Sequence, residues 1–149
     1  MPNLLRRRSM VLVLMLAGWT LDACGVMGGS DTTAARQAAE QWLNALENRE
    51  YERTWDEGSK TLQKVMSKGA WVSMCKEARE TRGALVSREP LGSDYRAQNP
   101  GYDGGPVDTF VFSYRTTFER KAAGKEQISV VREPDGKWRA YIHLVGLKL

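Results

Sequence analysis

Histidine and cysteine are scarce in this 149-residue sequence: His143 stands alone, and the cysteines are Cys24 and Cys75. There is accordingly no HxH, HExxH or CxxC spacing, the patterns that gather ligands around a metal or arm a redox pair. No glycine-rich strand-to-helix turn offers backbone N–H groups to a phosphate, since Gly101, Gly104 and Gly105 fall in a stretch crowded with turn formers. No Ser/His/Asp set sits in a recognisable context. The charges are interspersed, without a long basic block or a nucleic-acid motif. Internal repeats and low-complexity segments are missing too. No cofactor, metal or nucleic-acid partner is expected of such a chain.

A comfortable membrane span is also lacking. The apolar run at residues 10–21 holds twelve residues, against about 20 needed to cross a ~30 Å hydrocarbon core. Arg6, Arg7 and Arg8 precede it, which makes the pattern a secretory signal. Leu21-Asp22-Ala23-Cys24 then resembles the bacterial lipoprotein box: an aliphatic residue, a small residue before the cut, and an obligatory cysteine. That resemblance implies a signal peptide at 1–23 and two or three acyl chains on Cys24, enough for firm anchoring where one chain would be marginal. Gly25, not Asp, follows the cysteine, which points to the outer membrane facing the periplasm. Plain secretion with a chance cysteine at the boundary, or a retained anchor, are the alternatives.

Removing 1–23 leaves 126 residues (149 − 23), one domain's worth. Arg6, Arg7, Arg8 and Asp22 leave with it, so the formal charge falls from +4 to +2. With Cys24 acylated, Cys75 has no intramolecular partner; a buried small hydrophobe is the expected role, a reactive or intermolecularly bridged thiol the alternative.

Residues 24–33 read as a flexible tether and 34–149 as a single domain, with Asp31 or Thr32 placed to cap the first helix. Ala35, Ala38, Ala39, Trp42 and Leu46 recur at helical steps to about Asn48, with Arg36, Glu40 and Glu47 elsewhere on the helix surface. Tyr51, Thr54 and Trp55 predict a short helix ending near Gly58, and Leu62, Val65 and Met66 another. Ser67 caps a fourth with Trp71, Met74, Cys75 and Ala78 inward, closed by Gly83.

Beyond Gly83 the apolar period changes to two. Residues 84–88 predict a strand continuing past Pro90 toward Tyr95, and Pro90 makes it an edge or bulged strand. Residues 99–106 are a loop. Residues 108–119 form the clearest strand, with Phe110, Phe112, Tyr114, Thr116 and Phe118 on one face. Residues 122–125 are expected to turn the chain into a strand at 126–132. Asp135-Gly136 then sets a hairpin before a last strand at 138–147. Helices followed by strands in hairpin order predict an α+β fold, helices packed on a curved antiparallel sheet of about four strands.

Ala39-Glu40-Gln41-Trp42-Leu43, Tyr51 and Trp55, Ser67 and Trp71, Arg82-Gly83, Arg88, the Pro/Gly loop, Tyr114 and Phe118, Glu126 and Gly136-Lys137-Trp138 follow one order over roughly residues 35–143. That order resembles a bacterial envelope family, domain of unknown function DUF4019, whose members are similar to nuclear-transport-factor-2-like or cystatin-like rolls. The resemblance implies a cone-shaped roll and an envelope address, and brings no activity with it.

Such rolls enclose an apolar pocket between sheet and helices. The candidate lining is Trp71, Phe112, Tyr114 and Trp138, while core packing explains Trp42, Trp55, Trp71 and Trp138 better than a ligand cage does. Arg88 and Glu126 serve either as a cross-strand ion pair or as a charge pair at the pocket mouth. His143, read on one face with Tyr141 and Val145, is either a packed imidazole or a group that contacts a ligand. The leading expectation is a non-enzymatic, lipid-anchored module binding a small ligand or an envelope protein. A small cavity enzyme with His143 or Glu126 as base is one alternative. A homodimer through Val111, Val131 and Val145 on the outer sheet face is the other.

Overall fold

The computed structural model describes residues 29–99 and 105–149. The signal segment, the lipid-attachment cysteine Cys24, the start of the tether and most of the predicted loop lie outside the described residues. Helix α1 (Gly29–Glu47) forms because Ala35, Ala39, Trp42, Leu43 and Leu46 align on one stripe, and all five are buried. It begins earlier than its sequence suggests. Residues 29–33 are helical, not tether, and Asp31 lies inside the first turn, where its carboxylate favours the helix start and meets Arg132 at 3.5 Å.

Arg49, at φ 64°, turns the chain into α2 (Tyr51–Asp56). The Ser59 hydroxyl caps α3 (Lys60–Val65) and the Ser67 hydroxyl caps α4 (Lys68–Arg82), accepting from the Leu62 and Ala70 amides at 3.2 and 3.3 Å. Gly83 ends α4 at φ 78°, and a Cβ there would strike the Glu119 Cβ at 2.8 Å. Six-residue helices such as α2 and α3 do not stand alone. Trp42 Nε1 donates to the Thr54 carbonyl at 2.7 Å and Trp55 Nε1 to the Met66 carbonyl at 2.8 Å, tying both into the bundle.

Strands β1 (Leu85–Asn99), β2 (Val107–Phe118), β3 (Lys121–Arg132) and β4 (Trp138–Leu147) make one antiparallel sheet in chain order. The fold is therefore α+β, an open four-stranded sheet preceded by its helices. Pro90 sits on the edge strand β1, beside a register shift before Gly92.

The β2–β3 turn differs from the sequence expectation. Phe118 pairs with Lys121, so Glu119 and Arg120 alone make the turn, while Ala122, Ala123 and Gly124 belong to β3. Tertiary clamps select this register. Glu119 N–H donates to the Ala84 carbonyl and Arg120 N–H to the Arg82 carbonyl, both at 3.0 Å. The Asp135-Gly136 hairpin forms as expected, with Gly136 at φ 79°.

Phe110, Phe112, Tyr114, Thr116 and Phe118 are all buried on the inner face. Trp42 and Trp71, with ring centroids 5.6 Å apart, belong to the helical cover. The outer-face valines predicted for a dimer are not an exposed set. Val111 and Val131 are buried, and Val145 pairs with Glu126 and so shares its inward face. Ile142 and Leu144 are the exposed apolar residues on the outer side of β4. Among the described residues no helix is long and apolar enough to cross a membrane.

Candidate binding site

Period-two alternation sends Glu126, Ile128 and Val130 of β3 inward, and Glu126 is completely buried. A carboxylate there is tolerable only if its lone pairs are met. They are. Oε2 accepts from Arg88 Nε at 2.5 Å and Thr116 Oγ1 at 2.7 Å; Oε1 accepts from Arg88 Nη2 at 3.0 Å and His143 Nε2 at 2.7 Å. Burial pushes the Glu126 pKa up, but the His143 and Arg88 hydrogen bonds and charges outweigh it and hold the group at about 2.

Arg88 reaches Glu126 across β2 because it pairs with Thr116, while Glu126 pairs with Tyr114, one inward position further along β2. Its Nη2 also donates to Glu47 Oε1 at 3.1 Å, and Glu47 Oε2 accepts from Arg79 Nη1 at 2.8 Å. A continuous charge network thus crosses from the sheet to the ends of α1 and α4. His143 offers Nε2–H to Glu126 because a carboxylate can only accept, and its ring stands edge-on to Trp42 with centroids 5.5 Å apart. A register irregularity near Tyr141 puts Ala140, not Tyr141, on the His143 face.

Tyr114 is opposite Glu126 and nearly as buried, yet its hydroxyl has no hydrogen-bond partner among the described residues. Burial, then the nearby Glu40 charge, pushes its pKa up, so the phenol stays neutral and keeps its proton to donate. Tyr114 contributes to the floor of a groove of about 480 Å³ between α1 and β1. Arg36 and Glu40 wall it on the helix side, and Leu85, Val86 and Arg88 on the strand side. The Arg36 guanidinium lies 4.7 Å from the Phe112 ring centroid. Arg88 reaches its carboxylates through Nε and Nη2, and Nη1 makes none of those bonds.

The residues expected in one pocket are distributed among several places. Arg88, Glu126 and His143 come together in the network, and Tyr114 and Arg88 line the groove. Trp71 and His143 flank a separate hollow of about 40 Å³, and Trp71 Nε1 donates to Thr54 Oγ1 at 2.8 Å. Trp138 lines another of about 80 Å³ and packs against Phe110 at 5.3 Å. Phe112 is fully buried and lines none of these. A larger depression of about 610 Å³ beside the β2–β3 turn carries charges of both signs, and its Arg79 and Arg120 are already engaged by Glu47 and the Glu80 carbonyl. Cys75 is buried, which pushes its thiol up to about 11.

Glu47, Arg79, Thr116 and Arg36 were not among the expected site residues. Glu47 was placed on the open helix surface, yet it stands four residues after buried Leu43, on the same stripe, and that spacing was the usable signal.

One protein family has a model matching residues 38–142, under the description "Protein of unknown function (DUF4019)". The chain belongs to that family. The DUF4019 match takes in Arg88, Tyr114, Thr116 and Glu126 and stops one residue before His143. Arg36 and Cys24 also fall outside it. No curated protein and no solved structure matches the chain.

Proposed function

We propose that this DUF4019 protein is a lipid-anchored cell-envelope protein that works as a non-enzymatic binding module, holding its ligand in the groove between α1 and β1. One observation carries the binding part: Tyr114 lines this groove, and its buried hydroxyl has no hydrogen-bond partner among the described residues. Leaving such a group unmet costs about 1–3 kcal/mol, a cost that an occupant bearing an acceptor removes.

The arrangement favours binding over catalysis. Glu126, held at about 2 and accepting four hydrogen bonds, is too weak a base to take a proton from a substrate near neutral pH. His143 turns Nε2 toward that carboxylate, so the pair reads as framework. Anchoring rests on the basic head, the short apolar run and Leu21-Asp22-Ala23-Cys24; Gly25 directs the protein to the outer membrane, facing the periplasm.

Native mass spectrometry of the protein isolated from envelopes tests the binding part. A bound mass that disappears when the groove is blocked by Val86→Trp supports it; a bare chain with no partner in crosslinked envelopes overturns it. Growth with a labelled lipid precursor tests the anchor. Wild type becomes labelled and Cys24→Ser does not, whereas an unacylated mature terminus, or residues 1–23 still attached, refutes anchoring.

A further inference from the structure

The two edges of the sheet are finished differently. β4 is met by the helical layer, where the Ser59 amide donates to the Ala140 carbonyl at 2.8 Å. β1, the other edge, pairs with β2 alone, and residues 89–98 are all exposed. An edge strand presents a row of backbone donors and acceptors to another strand, and proteins blunt it with proline, lysine, bulges or brevity. β1 runs for 15 residues and contains no lysine. Pro90 and the register shift before Gly92 blunt its first half. Residues 92–96 keep unbroken register with β2 and carry none of these devices.

Charge decides what fits there. Asp94 and Arg96 pair with Val111 and Thr109 and share the outer face, whereas Tyr95 pairs with Phe110 and lies on the inner one. Neither Asp94 nor Arg96 has an ion-pair partner among the described residues. A second copy related by a two-fold axis normal to the sheet lies antiparallel to β1, with one residue facing itself. An axis at Asp94 or at Arg96 opposes like charges, which disfavours pairing. An axis at Ser93 sets Asp94 against Gly92 and leaves the charges unmatched. An axis at Tyr95 sets Asp94 of each copy against Arg96 of the other, two opposite-charge pairs on one face.

We propose that β1 is a self-pairing edge: two copies of this protein join antiparallel through residues 93–97, centred on Tyr95, and their four-stranded sheets become one. The surface is distinct from the outer-face valines, and the inference does not depend on the groove.

Sedimentation of full-length protein solubilised from envelopes tests the charges. Wild type shows a monomer–dimer equilibrium. Asp94→Arg and Arg96→Asp each weaken the dimer by about tenfold or more, since both pairs turn repulsive, and the double exchange Asp94→Arg with Arg96→Asp recovers it. Oxidative crosslinking in intact envelopes tests the register. Copies of Tyr95→Cys face each other with α-carbons about 4.5–5.5 Å apart, within disulfide reach, and form a covalent dimer. Copies of Arg96→Cys, offset by two residues, stand beyond about 7 Å and do not. A wild type that stays monomeric, a dimer indifferent to both single reversals, or a double exchange that fails to recover overturns the proposal. So does a Tyr95→Cys chain that stays uncrosslinked or links only to a different protein, which would assign the edge to another partner.

Discussion

Glu126 and Tyr114 face each other across β3 and β2, both out of water, but the carboxylate accepts four hydrogen bonds while the phenol has no partner among the described residues. The difference follows from charge. An ionised group buried without partners is prohibitively expensive, so a fold that keeps one must build its donors around it. A neutral hydroxyl can remain unmet at about 1–3 kcal/mol, which a domain of this size can carry. The region behind Glu126 is therefore closed and structural, whereas the region in front of Tyr114 is unfinished on its groove side. The first binds the sheet to α1 and α4; the second borders the groove between α1 and β1.

The most damaging single change expected is Glu126→Ala. It leaves the Arg88 guanidinium and the His143 ring facing a void, and removing one partner of a buried pair typically costs about 3–5 kcal/mol. Urea unfolding of the two proteins measures it. A loss below about 1 kcal/mol would mean that water enters and the region behind Glu126 is as open as the groove.

Acid sharpens the same contrast. The Glu126 pKa is lowered on folding from its ordinary 4.5 to about 2. A depressed carboxylate contributes stability that is fully present above the unfolded pKa and is lost as pH falls through the folded one. The stability difference between wild type and Glu126→Gln should thus shrink steadily as pH falls from about 5 toward 2. Chemical denaturation repeated along that pH series reads it. A difference that instead grows between pH 5 and 2 would reverse the assignment of Glu126 as the ionised centre.

Much of this was readable beforehand. Period two in residues 108–119 put Tyr114 and Thr116 inward, and Ser67, Gly83 and Asp135-Gly136 marked boundaries through local capping and turn chemistry that needs no tertiary context. Arg88 and Glu126 stood out as the polar positions of the resembled family pattern, and Tyr114 as an inward aromatic of the clearest strand. What could not be read depends on how elements meet. Glu47 and Arg79 lie 32 positions apart, and only the approach of α1 to α4 makes them partners. The β2–β3 turn went astray because Ala122-Ala123-Gly124 has turn-like composition, whereas the Ala84 and Arg82 carbonyls dictate the register. A single pocket was expected because the resembled rolls enclose one between sheet and helices; here Phe112 and Trp71 pack as core.

Thr116→Val is a milder incision. It removes the 2.7 Å donor to Glu126 Oε2 while nearly keeping the side-chain shape, and Arg88 still holds that oxygen. One buried hydrogen bond to a charged group lost in this way should cost about 1–3 kcal/mol. Differential scanning calorimetry registers it as a lowered midpoint. Equality with wild type would show that the Arg88 fork alone satisfies the carboxylate.

The smallest effect is expected at the opposing residue. Tyr114→Phe keeps the ring in its place on the inner face and takes away only a hydroxyl that no described residue meets. Because that oxygen was already stripped of water on folding, its removal relieves a cost, and the midpoint should hold or rise, the change staying within about 1 kcal/mol of zero. The same substitution at a tyrosine with a protein partner would destabilise by about that amount or more, so the sign of a small number decides the matter. A clear loss of stability in Tyr114→Phe would reveal a bond closing the groove floor, and the groove would then be as complete as the network behind Glu126.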